Sequence, residues 1–434
     1  MAGPRGEVAV VGAGLIGLFS AHYLLDRGYA VTLLERGDPG GGASRVNGGW
    51  VCPARSDPLP SYPVVRDGLR SLVPGAGGGF FLAPAAIPRV AGFLSRFVRS
   101  STPARFERSW DELDGLNART VELVDELVTA GLIGGLADEG FLMLHPTREE
   151  AEATRAALVT VARRGFCPAP EPVLGRSALL ELEAGLGPAA QWGFLHRGDR
   201  WLDPSRLVDA LIRSVVQRGA RIVTDAAVSA VRAGRSGVTM VTARGDVEAG
   251  HAVIAAGAWS ELLLRPLGVQ GHVTPGKGYS FTVSPAAPPT HVLRLGSTHV
   301  GITPLGQYAR VVGMVELDGT HERFRAGRVA AMKRAAAPYL SGVDWGASTD
   351  ERVAPRPLTP DGKPLIGCVP GAERIVVATG HNMLGLTLGA ATGTLVTELV
   401  DRGPAAAVAA FDPMRFTRGK GQPRVSTTDE AVTA

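Results

Sequence analysis

Cysteine is scarce in this chain of 434 residues, which has only Cys52, Cys167 and Cys368. The three are far apart and odd in number, and no Cys-x-x-Cys pair or Cys/His spacing typical of a zinc site accompanies them. We therefore expect neither disulfide bonds nor a bound metal. The reducing cytoplasm is the compartment that fits this cysteine usage.

Long apolar runs and basic clusters are missing as well. No apolar run reaches the ~18 residues needed to cross a bilayer, and the first predicted strand begins by residue 8, which leaves no room for a signal peptide. The 45 basic and 41 acidic residues give a formal charge of +4. No basic run is interleaved with aromatic residues, so nucleic acid is not an expected partner. We expect a soluble globular protein of about two or three domains.

What the chain does contain is a nucleotide-binding pattern at its start, Val8–Arg36. A short apolar strand leads into Gly12, Gly14 and Gly17 at G-x-G-x-x-G spacing, and a helical pattern and a second apolar strand ending at Glu35 follow. The first glycine permits a tight turn, the second lets a pyrophosphate approach the backbone, and the third lets helix and strand pack closely. The acid accepts hydrogen bonds from a ribose. This pattern predicts a dinucleotide site and leaves open whether FAD or NAD(P) fills it.

The loop that follows, residues 37–56, is rich in glycine and serine. Such a run is often a flexible connector. Directly after a Rossmann acid it could instead cover the diphosphate with backbone N–H groups, since Ser44, Asn47, Gly48 and Gly49 are small enough for a close approach.

The residue composition and the apolar pattern of the sequence change several times along the chain. Helical segments broken by proline fill about 60–195, and strands fill 270–345. A Rossmann-like pattern of strands and helices returns near 200 and again from 350. We predict an α/β fold with two domains. A discontinuous Rossmann-type domain would comprise 1–60, 196–270 and 346–417. An α+β domain with a mixed antiparallel sheet would comprise 61–195 and 271–345, and the polar residues 418–434 would be a disordered tail.

Several helices follow from apolar periodicity. Pro88–Ser100 places Val90, Phe93, Leu94, Phe97 and Val98 on one face with arginines elsewhere. That helix would pack on its own domain or, alternatively, contact a membrane surface. Further helices are predicted over 111–130, 148–164 and 206–218, with Asp203 as the N-cap of the last.

Six stretches occur in a particular order and spacing along nearly the whole chain: Val8–Arg36, Ala43–Gly49, Val253–Ser260, Pro275–Ser280, Arg356–Gly362 and Thr379–Thr387. In this arrangement the chain resembles the D-amino-acid oxidase/glycine oxidase superfamily of flavoproteins, and most closely its bacterial D-amino-acid dehydrogenases. The resemblance implies a Rossmann-type FAD-binding domain and a substrate domain, in agreement with the two domains predicted above.

The resemblance also implies which cofactor is bound and where. FAD replaces NAD(P) as the expected nucleotide. Some amine oxidases of this superfamily tether FAD to a cysteine just before the segment that matches Arg356–Gly362, whereas Cys368 lies after it, so noncovalent FAD is expected. The expected cofactor contacts are Gly12, Ala13, Gly14, Leu15, Ile16, Gly17, Glu35, Arg36, Ser44, Arg45, Asn47, Gly48, Gly49, Val228, Ala256, Gly257, Trp259, Gly380, Asn382, Met383, Leu384, Gly385, Leu386 and Thr387.

Three residues are expected at the reaction itself. Arg356 matches the arginine of the family's G-L-R-P stretch, which clamps the substrate carboxylate, although Ala354 and Pro355 replace the glycine and leucine. A planar guanidinium suits this because it binds a carboxylate bidentately. His381, in a turn expected to open the last helix toward the flavin, is a positioning group or a base. Tyr279 bonds the substrate or is a core aromatic.

The resulting expectation is an FAD-dependent oxidoreductase of an amino acid, of the D-configuration or glycine-like, with transfer of the α-hydrogen as hydride to flavin N5. Oxidation of secondary amines or 2-hydroxy acids on the same scaffold is the alternative. A flavin-binding protein without turnover is a third reading. Oxygen or a quinone or other electron carrier would reoxidise the flavin. The location would be the cytoplasm, with membrane association as the alternative.

Overall fold

The structure is a computed structural model that describes residues 5–73 and 79–417. The predicted tail, 418–434, lies outside the described residues. The chain forms two compact units. The first unit draws on three stretches, up to Gly41, Val208–Thr274 and from Pro357 onward, and the second unit comprises Gly42–Leu207 and Pro275–Arg356.

Both units contain strands and helices. The strands are β1 (Glu7–Val11), β2 (Ala30–Leu34), β3 (Trp50–Val51), β4 (Phe80–Leu82), β5 (Phe141–His145), β6 (Leu174–Gly175), β7 (Trp192–His196), β8 (Arg200–Trp201), β9 (Arg221–Val223), β10 (Val228–Ala233), β11 (Val238–Thr242), β12 (Val247–Ala249), β13 (His251–Ile254), β14 (Thr274–Val283), β15 (Val292–Leu295), β16 (Val300–Leu305), β17 (Tyr308–Leu317), β18 (Thr349–Leu358), β19 (Leu365–Val369) and β20 (Ala372–Thr379). The helices are α1 (Leu15–Asp26), α2 (Tyr62–Arg70), α3 (Ile87–Ser100), α4 (Pro103–Asn117), α5 (Thr120–Thr129), α6 (Arg148–Ala162), α7 (Arg176–Leu182), α8 (Pro204–Gln217), α9 (Ser260–Leu264), α10 (Ala326–Ala336) and α11 (Gly389–Arg402). Among the helices of the described residues, none has the length and apolarity that a membrane crossing requires.

The first unit is built on a six-stranded sheet in the order β19-β20-β13-β1-β2-β9. Its strands run parallel except for the β19–β20 pair. The strand β1 lies in the middle, where both faces are covered, and its apolar residues are buried accordingly. A three-stranded antiparallel sheet, β10-β11-β12, belongs to the same unit.

Helices α1 and α11 of the first unit pack closely because α11 carries two glycines, Gly389 and Gly393, one turn apart. A Cβ at Gly389 would lie 2.6 Å from the Phe19 ring, and one at Gly393 would lie 2.7 Å from the Tyr23 ring. Small residues at this spacing let two helix backbones approach.

The second unit is built on a mixed sheet in the order β18-β14-β17-β16-β15-β5-β7-β6, with β4 paired to β17. The β15–β5 and β17–β4 pairs are parallel, and antiparallel pairs include β14–β17 and β16–β17. One face of the sheet carries the core of this unit, which includes Leu142, Tyr279, Phe281, Leu293 and Val311. The α/β fold with a mixed second sheet is thus confirmed.

The two units change over at 41, 207, 274 and 356, whereas the predicted domains change at 60, 195, 270 and 345. Residues 42–60 join the second unit because β3 pairs with β8, Trp50 opposite Trp201. The Trp50 side chain also donates to Thr303 in the second unit's sheet at 2.7 Å.

The helix predicted over 111–130 is wrong as one element, because the chain forms α4 and α5 with a break after Asn117. The Asn117 side chain is buried and donates to the Pro53 carbonyl at 2.8 Å and to Ser56. This tie holds the end of α4 against the 53–56 segment. The predicted N-cap of α8 is confirmed, since the Asp203 carboxylate accepts the Ser205 N–H at 2.8 Å.

The amphipathic helix α3 buries Val90, Phe93 and Phe97, and Phe93 and Phe97 pack with ring centroids 5.5 Å apart. Val98 was expected on that face but is 53% exposed. It lies one residue, or about 100°, beyond Phe97 around the helix axis, which carries it past the buried stripe. The burial favours packing within its own domain over the membrane alternative.

Candidate active site

The glycine motif of the first unit makes close backbone contacts that no side chain would allow. Gly12 has φ +104°, and a Cβ there would lie 2.6 Å from the Ala255 carbonyl oxygen at the end of β13. A Cβ at Gly17 would overlap the Gly12 carbonyl. The crossing of β1, α1 and β13 is therefore tight enough to require both glycines. Leu15 and Ile16 form the first turn of α1 between them.

Glu35 lies beside this turn and holds its loop in place. Its carboxylate accepts the Ala13 N–H at 2.8 Å and the Gly37 N–H at 3.2 Å. Its carbonyl accepts the Ala226 N–H at 2.8 Å, two residues before Val228. A carboxylate oxygen has more than one acceptor direction, so this acid retains capacity for a ribose hydroxyl.

The same unit brings Arg36 and Trp259 together, with the guanidinium 3.7 Å from the ring centroid. Trp259 ends a short turn that begins at Gly257, whose φ is +54°. The Gly257 carbonyl accepts a hydrogen bond from the Thr379 hydroxyl at 3.0 Å. The 256–259 turn therefore contacts Arg36 through Trp259 and Thr379 through Gly257.

The residues at the start of α1 suit a diphosphate. No acidic residue lies in its first turn and no side chain caps it, so the positive end of the helix dipole is not offset by a side-chain charge. Together with the glycine contacts and Glu35, this donor set fits the ADP part of FAD.

A turn at Gly380–Leu388 lies between β20 and α11. The turn leads into the last helix, and α11 begins at Gly389. The backbone N–H groups of Gly385 and Leu386 have no acceptor among the described residues. Adjacent unpaired donors of this kind suit an anionic or carbonyl group of a ligand. Leu384, Leu386 and Thr387 are buried, and Met383 is 53% exposed.

Asn382 ties this turn to the chain that follows Arg356. Its backbone has φ +53°, a conformation that asparagine tolerates. Its side-chain oxygen accepts the Thr359 N–H at 3.0 Å, and its amide donates to the Thr359 hydroxyl, the Gly362 carbonyl and the Gly380 carbonyl. Its own N–H donates to the Pro357 carbonyl at 3.0 Å. Since these bonds occupy the side chain, Asn382 acts on the loop rather than as a free contact group.

His381 is 2% exposed, and its Nε2 lies 2.9 Å from the Thr392 hydroxyl. Its Nδ1 has no partner among the described residues. Burial lowers the pKa of His381 to about 3, so the ring is neutral near pH 7. This environment favours the positioning alternative over the base.

In the second unit the 43–49 loop is held by hydrogen bonds rather than free, which argues against a flexible connector. The Asn47 side chain donates to the Ser44 carbonyl at 2.6 Å and accepts the Gly49 N–H at 2.7 Å. The Arg45 carbonyl accepts a bond from Arg310 at 2.8 Å. A Cβ at Gly48 would lie 2.7 Å from the Trp50 ring. These contacts fix the small residues expected to approach the cofactor.

Arg356 lies on β18 with its guanidinium against Gly278 of β14, where any Cβ would overlap it. One N–H donates to the Met314 carbonyl at 2.7 Å. Met314 sits at an irregularity of β17, with φ +62°, where the pairing with β14 shifts. A bulge of this kind re-aims backbone groups, and here it supplies Arg356 with an acceptor.

No carboxylate pairs with Arg356 among the described residues. Burial lowers the pKa of Arg356 to about 10, so the side chain stays charged at neutral pH. A desolvated guanidinium with one carbonyl partner keeps several N–H donors unused. This is the donor set that a substrate carboxylate requires.

Tyr279 is fully buried in the core of the second unit, and its hydroxyl donates to Glu316 at 2.6 Å. Burial raises its pKa, and the bond to Glu316 adds to the effect. Glu316 also pairs with Lys277 at 3.0 Å and Arg328 at 2.9 Å. These contacts favour the core alternative for Tyr279 over a substrate contact, because its hydroxyl is already bound to Glu316.

Sequence reasoning missed the residues that shape the surroundings of Arg356. Gly278 and Met314 were not predicted as site residues. A signal for Gly278 was available, because in a strand with Lys277 and Tyr279 buried on one face the glycine between them must face the other way. Nothing local marks the Met314 bulge.

Comparisons with known proteins agree with an FAD site in this chain. Residues 7–399 match the family model described as "DAO: FAD dependent oxidoreductase". The chain is 30% identical to a D-amino acid dehydrogenase of Methylobacterium sp. (strain 4-46), over 95% of this chain and 99% of that protein. It is 29% identical to a D-amino acid dehydrogenase of Allorhizobium ampelinum, over 91% of this chain and 94% of that protein.

Among solved structures, glycine oxidase from Geobacillus kaustophilus superposes with a TM-score of 0.70 at 26% identity, covering 94% of this chain and 98% of that one. Iminodiacetate oxidase from Chelativorans sp. BNC1 shares the fold, with a TM-score of 0.67 at 20% identity, 94% of this chain and 98% of that one being covered. FAD is accordingly the cofactor, and the protein is an FAD-dependent amino-acid or amine oxidoreductase. The chain belongs to the DAO family of FAD-dependent oxidoreductases.

Proposed function

We propose that this enzyme oxidises an amino acid at its α-carbon and that Arg356 binds the substrate carboxylate. The observation that carries the proposal is the state of that arginine. It is desolvated, still charged, bound to a single backbone carbonyl and without a carboxylate partner in the described part of the chain. A guanidinium in that state has unsatisfied donors for which a planar anion is the matching ligand.

The chain's own residues would divide the work. The glycine turn at 12–17, Glu35 and the α1 N-terminus would hold the nucleotide part of FAD. The N–H groups of Gly385 and Leu386 would bond the flavin edge that becomes negative on reduction. The chemistry supplied by bound FAD would be acceptance of the α-hydrogen as hydride at N5, and water would then hydrolyse the resulting imino acid to a 2-oxo acid and ammonia.

The proton inventory supports a substrate that reacts as the neutral amine. His381 is neutral and bonded to Thr392, and Tyr279 is bonded to Glu316. Neither is placed to remove a proton, and hydride loss from a neutral amine needs no side-chain base. Arg356 would then fix the orientation of the α-carbon, which is the main contribution that the protein makes.

The substrate we favour is a D-amino acid, because proteins named D-amino acid dehydrogenase match over most of the chain. We also propose noncovalent FAD: Cys368, the cysteine nearest in sequence to Arg356–Gly362, is buried and burial raises its pKa to about 11, which disfavours the reactive thiolate. Precipitation with acid should release the flavin into solution. A cytoplasmic location and an acceptor that is oxygen, a quinone or another electron carrier remain part of the proposal.

The test is anaerobic reduction of the bound flavin by matched D- and L-amino acids, sarcosine, proline and 2-hydroxy acids, followed by admission of air. Bleaching by D-amino acids is the expected result, and the reoxidation rate in air separates an oxidase from a dehydrogenase. Bleaching only by sarcosine, proline or hydroxy acids would replace the substrate class. Failure of the whole panel would favour a flavin-binding protein without turnover.

Arg356→Gln tests the carboxylate assignment, with Arg352→Gln as the matched control on the same strand. Arg352 is half-exposed and pairs with Asp350. Loss of the bidentate contact should lower kcat/KM by about a thousandfold, whereas the control should stay within about twofold. Equal activity of Arg356→Gln and wild type on carboxylate substrates would overturn the proposal.

A further inference from the structure

One face of the second unit's sheet carries a second arginine, Arg294, that resembles Arg356 in having no carboxylate partner among the described residues. Ser280, Val312, Gly301 and Arg294 stand in register across β14, β17, β16 and β15. Gly278 is two residues from Ser280 on β14 and therefore shares its side of the sheet. We call this side the Gly278 face. Arg356 covers one end of it and Arg294 the other.

Arg294 is held in place by stacking on Trp50. Its guanidinium lies 4.7 Å from the centroid of that ring. A Cβ at Gly301 would lie 2.7 Å from the Trp50 ring and 3.3 Å from an Arg294 nitrogen, so the absence of a side chain at position 301 makes room for both. Trp50 is itself anchored through its bond to Thr303. The arginine is thus preorganised by a ring whose own position is fixed.

No hydrogen bond or ion pair is formed by Arg294 anywhere in the described ranges 5–73 and 79–417. The charged and titratable groups around it are Arg55, Cys52, Asp57, Asp199 and His299. Asp199 accepts the Ala54 N–H at 3.2 Å through one carboxylate oxygen, and its other oxygen lies 3.6 Å from His196 Nε2. His299 pairs with Asp67 at 3.6 Å. Burial and the neighbouring Arg55 together lower the pKa of Arg294 to about 9, although Cys52, Asp57 and Asp199 act in the opposite direction. It remains a cation at neutral pH.

A half-buried guanidinium without an anion is costly, because it loses water without gaining a partner. Structural arginines of this unit avoid that cost: Arg325 and Arg328 pair with Asp318 and Glu316. Arg294 and Arg356 share the Gly278 face, and neither has a carboxylate partner among the described residues. An external anion would complete both.

We propose that Arg294 binds a second anionic group of the substrate, so that the enzyme prefers amino acids with an acidic side chain. This inference rests on the proposed function, since it assigns the other carboxylate to Arg356. Gly278 and Gly301 are two strands and two residues apart, so their Cα atoms lie about 12 Å apart by standard strand spacings. With one guanidinium over each glycine, a short amino diacid is the size that contacts both.

The experiment compares isosteric pairs that differ in charge alone: D-glutamate with D-glutamine, and D-aspartate with D-asparagine. Rates of anaerobic flavin reduction give kcat/KM for each. In the wild type the acid of at least one pair should be favoured about tenfold or more, and Arg294→Gln should bring that ratio close to one. The rate with the amide of the pair should change by about threefold or less.

Two further variants keep the result interpretable. Arg294→Lys retains the charge and should keep part of the preference. Arg105→Gln removes a charge from an exposed position on α4 and should leave the ratio unchanged. A second readout is free of turnover: glutarate should raise the thermal unfolding midpoint more than butyrate does, and Arg294→Gln should abolish that difference.

The outcomes separate the two proposals. Equal use of acid and amide by the wild type overturns the second-anion inference and leaves the proposed function standing. A preference for the acid that survives Arg294→Gln overturns the assignment to Arg294. Failure of all amino acids to reduce the flavin overturns the proposed function and this inference with it.

Discussion

Replacing Gly278 with alanine should impair catalysis while leaving the fold intact. The glycine makes room for the Arg356 guanidinium, and the new methyl group would overlap it. To reach van der Waals distance the guanidinium must shift by about 1–2 Å. The displaced group is the end of a flexible side chain, so the sheet itself does not have to move.

The expected magnitude follows from that displacement. A shift of about 1 Å in a positioning group can cost about a hundredfold in rate, which corresponds to about 2.7 kcal/mol of transition-state stabilisation. The bond from Arg356 to the Met314 carbonyl, 2.7 Å long, would weaken at the same time. Stability should change little, because alanine reduces the entropy of the unfolded chain by an amount that partly offsets the lost bond.

Anaerobic flavin reduction by the best substrate measures the rate, and the thermal unfolding midpoint measures the fold. Gly327→Ala is the matched control, since this glycine lies on α10 of the same unit and a Cβ there has nothing within 4 Å. The control should retain wild-type kcat/KM. If Gly278→Ala also retained it with unchanged KM, Arg356 would not be the group that positions the substrate.

Three further outcomes are expected. Asn382→Ala should lower the free energy of unfolding by about 3 kcal/mol in denaturant titrations, because it leaves backbone groups of Thr359, Gly362 and Gly380 unpaired. Asn382→Gly should lower it less, since glycine accepts the positive φ. Equal losses for the two variants would argue against a contribution from backbone strain. Tyr279→Phe should lower stability by about 1 kcal/mol and leave kcat/KM within about threefold, a larger kinetic loss restoring the substrate role. Because the folded pKa of His381, about 3, lies below its unfolded value of 6.5, the unfolded chain binds the proton first. The contribution of His381 to the free energy of unfolding should fall as pH drops from about 6.5 toward 3. His381→Gln should therefore make the decline of stability at acid pH shallower, and an unchanged decline would contradict a buried neutral ring.

The parts that could be predicted from sequence are those with a local cause. The strand Ala30–Leu34 lies where the apolar run before Glu35 predicts it, because alternation and β-branched content act within a few residues. The glycine turn was readable for the same reason. Its spacing requires close backbone contacts whatever the rest of the chain does.

The parts that could not be predicted depend on register between distant strands. Tyr279 is a plausible substrate contact in the sequence, and only the β14–β17 pairing brings its hydroxyl to Glu316, 37 residues away. The partner of Arg356 likewise arises from a bulge at Met314, 42 residues away. The break after Asn117 depends on Pro53, 64 residues away. No window of local sequence contains these pairs.

This difference separates the two halves of the proposed chemistry. Cofactor binding, as proposed, relies on backbone groups such as the N–H groups of Gly385 and Leu386. Their placement needs small residues at set spacings and so leaves a motif. Substrate recognition, as proposed, relies on two arginine side chains over Gly278 and Gly301. Their juxtaposition needs the five strands β18, β14, β17, β16 and β15 side by side in one sheet. A change at Arg294 would leave every nucleotide-binding motif intact. The motif therefore constrains which cofactor is used, whereas substrate choice must be read from the residues that share the Gly278 face.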